Sequence, residues 1–189
     1  MAQYYFTVAY LPQLFYDTEK PFLNTVRFLT LCSETLHRRD ILLVQKTKLT
    51  GFDQSEPINE LLLNWHRFEI TLRNELVNLR AHKRGKDPYE WLKEVQEVLG
   101  LSSIARDAFN QDNPLQAEDM LNRVRWKYFD DLESGHYFDV EKLQVYYLRL
   151  QLLERKALFD KEKGYSRFEK IRSEKLKSAN LRLWEEGFS

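Results

Sequence analysis

The stretch that decides the fold is residues 137–164, with the sequence YFDVEKLQVYYLRLQLLERKALFDKEKG. Its apolar side chains recur at offsets of three, four and seven on two faces. The first face carries Leu143, Tyr146, Tyr147, Leu150, Leu153 and Ala157, and the second carries Val145, Leu148, Leu152 and Phe159. A helix that is apolar around most of its circumference lies among other helices. We therefore predict a core helix, capped at its start by Asp139 and stopped by Gly164.

The other segments also predict helices, so the expected fold is mainly α: a single, compact, bundle-like domain over residues 1–189. Its four parts are an N-terminal segment (1–52), middle helices (55–111), a core helical hairpin (113–164) and a peripheral basic C-terminal helix (165–189). Asn113 and Pro114 form a cap-plus-proline start signal for the first helix of the hairpin. The short connection after it predicts that the two hairpin helices lie antiparallel.

Two start signals delimit the middle helices. Ser55, with Pro57 in the first turn, predicts a long helix that extends to about Lys83. Asp87, Pro88 and Glu90 supply a cap, a first-position proline and a glutamate in the first turn. They predict a further helix that ends at Gly100.

The opening residues 3–11 fit two structures. Tyr4, Phe6, Val8 and Tyr10 alternate with Tyr5, Thr7 and Ala9, which is typical of a strand. A short helix fits the same residues, and Pro12 ends either element because it biases Leu11 away from helix. The sequence leaves both the strand and the helix open.

Composition indicates a folded protein with a polar surface. The chain of 189 residues has 29 basic and 29 acidic side chains and an apolar fraction of 43%. The single cysteine, Cys32, excludes an internal disulfide and fits a reducing compartment. We find neither a signal peptide nor an apolar run of membrane-spanning length, so we expect a cytoplasmic protein that reaches a membrane only through partners.

The sequence contains no catalytic or metal-binding motif. His37, His66, His82 and His136 are scattered, and none has a second histidine at (i, i+4) or a cysteine partner nearby. We therefore expect no catalytic residue, no metal, no cofactor, no small-molecule substrate and no enzymatic activity. Five charged residues are instead candidates for one buried polar network, with separate surface pairs as the alternative: Glu69, Arg73, Arg80, Arg125 and Glu154.

The C-terminal segment predicts an interaction surface. It combines basic side chains with one tryptophan: Lys170, Arg172, Lys175, Lys177, Arg182 and Trp184. Such a helix fits docking on a protein, and it also fits nucleic acid. Glutamates are interleaved with the basic residues and the whole chain is neutral, which argues against nucleic acid.

Three stretches together resemble a known family. They are QYYFTVAYLPQLFYD (3–17), NWHRFEITLRNELVNLRAHKRGKDP (64–88) and NPLQAEDMLNRVRWKYFDDLESGHYFDVEKLQVYYLRLQLLER (113–155). They are similar to a small family of unassigned biochemical activity that is encoded within bacterial V/A-type ATPase operons. The resemblance covers most of the chain and becomes fainter after Gly164.

The resemblance implies a part of, or an accessory to, a rotary ATPase. Such operons often lack a recognisable C/d subunit, the helical socket between the central stalk and the membrane ring. A stand-in for the C/d subunit would contact central-stalk or membrane-sector proteins, and it would lie at the inner membrane through them. An assembly factor of the same ATPase is the first alternative, and a nucleic-acid-binding helical protein is the second.

Overall fold

The computed structural model describes residues 2–18, 21–51, 59–159 and 164–175, and its regular structure in these ranges is helical. The eight helices in these ranges are α1 (Ala2–Ala9), α2 (Thr25–Thr35), α3 (Arg38–Lys46), α4 (Glu60–Lys83), α5 (Leu101–Phe109), α6 (Pro114–Glu133), α7 (Val140–Ala157) and α8 (residues 164–175). The mainly α fold is therefore confirmed. Within the described residues, no helix combines the length and the apolar character that crossing a bilayer requires.

The chain divides into two compact units, Met1–Lys156 and Ala157–Ser189. The first unit holds α1 to α6 and nearly all of α7, and the second holds α8. The division falls at the end of α7, where Ala157, Leu158 and Phe159 are all exposed. The single domain with a peripheral helix at 165–189 stays a prediction of the sequence.

α7 is the core helix, as predicted, and its two apolar faces belong to two separate clusters. The large core cluster is built mainly from α4, α5 and α6, and its buried members include Leu61, Leu62, Trp65, Phe68, Leu72, Leu76, Leu101, Ala105, Leu121, Phe129, Val145, Leu148 and Leu152. The small core cluster consists of Phe28, Cys32, Leu36, Val44, Leu143, Tyr146 and Leu150, packed against apolar residues of α1 to α3. α7 is thus shared by both halves of the first unit.

Polar side chains of α7 also tie loops to the core. Gln144 is fully buried; its amide donates to the Leu43 carbonyl and to Thr47 Oγ1, at 3.3 and 3.1 Å. Its carbonyl oxygen accepts from the Asn59 amide at 2.6 Å. Asn59 is also the N-cap of α4, accepting from the Leu62 amide at 3.3 Å. One glutamine therefore joins the end of α3 to the start of α4.

The start of α7 is as predicted, but its end is not. Asp139 Oδ1 accepts from the Lys142 amide at 2.9 Å, which is an N-cap interaction. The helix ends at Ala157 rather than at Gly164, and Gly164 instead lies at the beginning of α8. Leu158 and Phe159, which follow the helix, are 81% and 48% exposed, so they gain little of the apolar burial that would favour another turn.

The N-terminal segment is a helix, so the strand alternative is wrong. Tyr4, Val8 and Leu11 pack against the small core cluster at helical spacing, and Thr7 is fully buried between them. Thr7 Oγ1 also donates to Thr35 Oγ1 of α2 at 2.9 Å. No strand lies among the described residues to pair with this segment, whereas α2 offers it an apolar face.

The helix predicted from the Asp87–Pro88 signal is absent. Asp87 Oδ1 accepts from the Tyr89 amide at 3.0 Å, which closes a turn rather than starting a helix. Residues 92–98 then run as irregular chain. The Asn74 side chain bonds both backbone groups of Lys93, at 2.7 and 3.1 Å. The amide and carbonyl of Lys93 are therefore bonded to a side chain of α4 instead of to the backbone partners that a helix would give them.

The long middle helix ends at Lys83 as predicted and begins at Glu60, with Asn59 as its N-cap. Ser55 and Pro57, the residues of the predicted start signal, lie outside the described residues. Gly100, predicted to end a helix, instead precedes α5 with φ of +88°, a conformation that glycine adopts without strain.

Candidate interaction surfaces

The basic helix α8 leaves an apolar stripe uncovered. Tyr165, Phe168 and Ile171 recur at intervals of three and are 68%, 60% and 48% exposed. Arg167, Lys170, Arg172 and Lys175 are exposed on the same helix, and Arg172 pairs with Glu169 at 3.3 Å. Lys177, Arg182 and Trp184 lie outside the described residues. An uncovered apolar stripe flanked by cations fits docking on a partner.

A groove of about 390 Å³ lies on the first unit, between the end of α1 and the α6–α7 hairpin. One wall consists of Val8, Leu11, Pro12, Gln13 and Leu14. The other wall consists of Trp126, Asp130 and Glu133 of α6 and Lys142, Tyr146 and Arg149 of α7. The groove combines apolar and charged side chains, which is typical of a surface that binds another protein.

The charges in this groove are already paired with one another. Arg149 donates to Asp130 at 2.6 Å and to Glu133 at 2.8 Å, and its guanidinium lies 5.4 Å from the centroid of the Trp126 ring. Lys142 pairs with Glu133 on the same wall. Each cation that lines the groove therefore has a carboxylate partner within it, and the net charge of the groove is close to zero.

Exposed aromatic rings extend the groove along α1. The Tyr5 ring lies 5.1 Å from Phe138 and 6.0 Å from Phe6, measured between centroids. The side chains of Tyr5, Phe138 and Phe6 are 54%, 46% and 60% exposed. Tyr5 lies one turn before the groove residue Val8 on α1, so rings and groove form one continuous surface. Contiguous exposed aromatics of this kind mark interaction sites.

A second cavity, of about 170 Å³, lies at the C-terminal end of α4. It is lined by Val77, Arg80, Ala81, Arg84, Lys86 and Trp91. Within the part of the chain that the structure describes, none of its three cations forms an ion pair. The sequence reasoning missed this site, although the basic run HKRGK at 82–86 was the available signal.

The structure brings together three of the five candidate network residues. Glu69 is fully buried; its two oxygens accept from Arg125 Nε at 2.9 Å and from Arg125 Nη2 at 3.2 Å. Arg73 Nε donates to Glu69 Oε1 at 2.8 Å. Arg125 also bonds Asn122 at 3.0 Å, and Arg155 of α7 reaches the same asparagine at 2.6 Å. This network joins α4, α6 and α7.

The two remaining candidates lie elsewhere. Arg80 lines the cavity at the end of α4, because it lies about three turns after Glu69 on nearly the same side of the helix, too far along the axis to join its network. Glu154 accepts from the Thr25 amide at 2.7 Å and from its hydroxyl at 2.9 Å, which satisfies the first turn of α2. Glu118 and Arg155, an ion pair missed by the sequence reasoning, complete the network in their place.

Burial suppresses the reactivity of the histidine and cysteine that lie in the core. His66 is 8% exposed, and its burial lowers its pKa from 6.5 to about 4, so the ring is neutral at pH 7. Burial likewise raises the pKa of the Cys32 thiol to about 12. Neither of the two cavities described above is lined by His66 or Glu69.

One further group has the composition of a metal site. Ligand atoms of His136, Asp139 and Glu141 lie within 4.8 Å of one another. Each carboxylate already has a structural contact: Asp139 caps α7 and bonds His136 at 2.7 Å, and Glu141 accepts from the Asn59 amide at 3.3 Å. These contacts explain the group without a metal ion.

Comparison with known proteins gives one match. Residues 95–178 match the model of a family described as "Protein of unknown function (DUF2764)". No curated protein matches the chain, and no solved structure matches it. The matched residues include α5, α6, α7 and the described residues of α8, and they amount to less than half of the chain. Over the core helical hairpin and α8, the chain is thus similar to a family without an assigned function.

Proposed function

We propose that this chain is a non-catalytic protein-interaction subunit or accessory of a bacterial V/A-type ATPase, linking the central stalk to the membrane ring. Its place is the cytoplasmic side of the inner membrane, where ATPase subunits hold it. The proposal combines a general activity, protein binding, with a particular partner. Different observations support each half.

Uncovered apolar surface is the observation that carries the protein-binding half. The aromatic rings of Tyr5, Phe6 and Phe138 and the apolar stripe of α8 are both exposed, one on each unit. Leaving such side chains in water costs about 25 cal/mol per Å² of apolar area, which burial by a partner recovers. Two such surfaces, one on each unit, fit a protein that connects two partners.

The ATPase half is supported by the resemblance of residues 3–17, 64–88 and 113–155 to proteins encoded in V/A-type ATPase operons. The helical architecture agrees with the C/d role that the resemblance suggests. The non-catalytic role rests on the sequence, which contains no catalytic motif, and the histidine and cysteine at positions 66 and 32 are buried in the core.

The proposal is tested by purifying the tagged chain from its native host in mild detergent and quantifying the co-purified proteins by mass spectrometry. A permanent component brings down V/A-type ATPase subunits at fixed ratios near one to one. Trace, variable ratios would instead favour the assembly-factor alternative. Absence of every ATPase protein would refute the ATPase half and leave the protein-binding half to be tested with other partners.

A charge-reversal variant tests the role of the basic C-terminal segment. Lys175→Glu with Lys177→Glu should lower the recovery of partner proteins while the helical content stays unchanged. Arg38→Glu with Arg39→Glu, two exposed positions at the start of α3, is the matched control with the same change in net charge. If both variants recover the same amount of partner proteins, the basic C-terminal segment is not part of the interaction surface.

A further inference from the structure

We propose that the cavity at the C-terminal end of α4 binds a phosphate ester, with Arg80, Arg84 and Lys86 holding the phosphate and Trp91 covering the group attached to it. The proposal concerns a bound ligand rather than a substrate. It goes beyond the proposed role in the ATPase and does not depend on it.

The local backbone builds this site. Gly85 has φ of +62°, and its amide donates to the His82 carbonyl at 3.1 Å, while the Lys86 amide donates to the Ala81 carbonyl at 3.0 Å. These two bonds form a Schellman motif, which stops α4 and turns the chain back. The motif therefore places Lys86 beside Arg80 of the last helical turn and Arg84, the C-cap residue.

A second turn sets the aromatic wall. The Trp91 amide donates to the Pro88 carbonyl at 3.0 Å, and Asp87 accepts from the Tyr89 amide in the same segment. This turn returns the indole to the α4 residues Val77 and Ala81, which form the apolar floor. Trp91 remains 48% exposed, so one part of the ring is available to a ligand.

Charge identifies the class of ligand. Three cations line the cavity, no carboxylate lines it, and within the described residues none of the three has an ion-pair partner. The cations of the α1–hairpin groove, in contrast, are neutralised by Asp130 and Glu133. Uncompensated cations that converge on one hollow attract an anion.

A phosphate monoester fits better than a carboxylate. It carries a charge of about −1.5 to −2 at pH 7 and three acceptor oxygens, against a single charge for a carboxylate. Guanidinium groups bind phosphate through paired hydrogen bonds, and two of the three cations are arginines. The volume of about 170 Å³ accommodates a phosphate with a small attached group, since it is well below the volume of pockets for larger ligands.

Phenyl phosphate is a suitable probe because it joins a dianionic phosphate to a flat ring. We expect it to quench part of the tryptophan fluorescence of the full-length protein in a saturable way and to weaken with added salt. Benzoate has the same ring but only one charge, so we expect it to bind at least about tenfold more weakly. A tenfold difference in affinity corresponds to about 1.4 kcal/mol of binding free energy. Equal affinity for both compounds would overturn the assignment to phosphate.

Variants assign the binding to this cavity. Arg80→Gln with Lys86→Gln should weaken phenyl phosphate by at least about tenfold, as expected for lost charge-assisted hydrogen bonds. Arg39→Gln, an exposed arginine on α3, should leave the affinity unchanged. Trp91→Phe should abolish the fluorescence change while calorimetry still detects binding. Equal loss in the Arg39 variant, or no loss in the double variant, would overturn the site.

Vesicle binding distinguishes a free phosphate ester from a lipid headgroup as the ligand of this cavity. Phosphatidylcholine vesicles containing phosphatidic acid present the same phosphate monoester at a membrane surface. Phenyl phosphate should compete with any vesicle binding if the phosphate enters the cavity. Vesicle binding without any response to phenyl phosphate would overturn the proposal, because it would show general attraction of surface cations to an anionic bilayer. ATPase proteins are absent from these assays, so their outcome is independent of the proposed function.

Discussion

The two sides of α7 are stabilised by different chemistry. The side facing α4 to α6 packs the large core cluster and also contains the buried carboxylate Glu69 with Arg125. The side facing α1 to α3 packs the small core cluster, whose members are apolar except for the hydroxyl of Tyr146, which donates to the Pro12 carbonyl at 2.9 Å. The same helix therefore serves one interface that contains a buried ion pair and one whose polar contacts, made by Gln144 and Glu154, are to uncharged groups.

This difference shows that burial alone does not rank residues by how much their truncation lowers the free energy of unfolding. A truncated apolar side chain leaves a cavity, which neighbouring groups partly fill. A truncated partner of a buried charge leaves that charge without compensation, which costs more than the pair itself contributed. The large-cluster side should therefore respond more strongly to single substitutions at its charged positions, and the following experiments test this contrast.

The largest effect is expected from Arg125→Ala. This change leaves the Glu69 carboxylate, fully buried, with only the half-exposed Arg73, and we expect a loss of about 3–5 kcal/mol in the free energy of unfolding. Urea denaturation followed by circular dichroism measures it. The double variant Glu69→Leu with Arg125→Leu should lose less than either single variant. A double variant that loses as much as the sum would contradict the argument from charge.

A smaller effect is expected from Leu150→Ala on the opposite side of α7. Leu150 is fully buried in the small core cluster, and its truncation removes three carbon atoms and leaves a cavity. We expect a loss of about 3 kcal/mol in the free energy of unfolding, within the range for such changes. The same denaturation experiment compares it directly with Arg125→Ala. A larger loss for Leu150→Ala than for Arg125→Ala would reverse the contrast between the two sides.

Acid should destabilise the protein through His66 of α4. Its pKa is about 4 when folded and 6.5 as the reference for the unfolded chain, so protons bind preferentially to the unfolded state between these values. The stabilisation is therefore complete above pH 6.5 and is lost as pH falls towards 4. We expect a decrease of about 2 kcal/mol between pH 8 and pH 5. His66→Gln should remove this part of the pH dependence; an unchanged profile would show that other groups cause it.

Alkali should produce the smallest effect, through Cys32 in the small core cluster. Burial raises its pKa from 9.0 to about 12, so the unfolded chain loses the thiol proton first as pH rises. Stability is therefore complete below pH 9 and declines above it, by about 1 kcal/mol from this group between pH 8 and pH 10. Cys32→Ala should reduce the alkaline slope and leave the acidic slope intact. His66→Gln is the matched control, because it should reduce the acidic slope and leave the alkaline slope intact.

The sequence predicts the start and the core position of α7 well, because the signals for both lie within the helix itself. Asp139 is a favourable cap, and two faces of apolar residues repeat at helical spacing, which the two clusters confirm apart from the exposed Ala157 and Phe159. The segment at 87–98 could not be predicted in the same way. Its start signal is complete, but Asn74 on α4 takes both backbone groups of Lys93, and this partner lies 19 residues away along the chain.

The candidate sites show a similar limit. The sequence predicts either one network or separate surface pairs for five charged residues, and the structure joins three of them: Glu69, Arg73 and Arg125. Arg80 lies on nearly the same side of α4 as Glu69 but about three turns later, beyond the contact with Arg125, and Glu154 reaches the start of α2. Which neighbour meets each part of a helix is set by tertiary packing, which single-sequence periodicity does not specify.

The shared position of α7 also has a consequence for synthesis on the ribosome. The residues that complete both clusters, 143–153, are translated after α1 to α6 have already emerged. Until then, both clusters lack the residues that α7 contributes, so neither can reach its native packing. Nascent chains of this protein should consequently acquire protease resistance in one late step rather than in two, and until that step they depend most on chaperones.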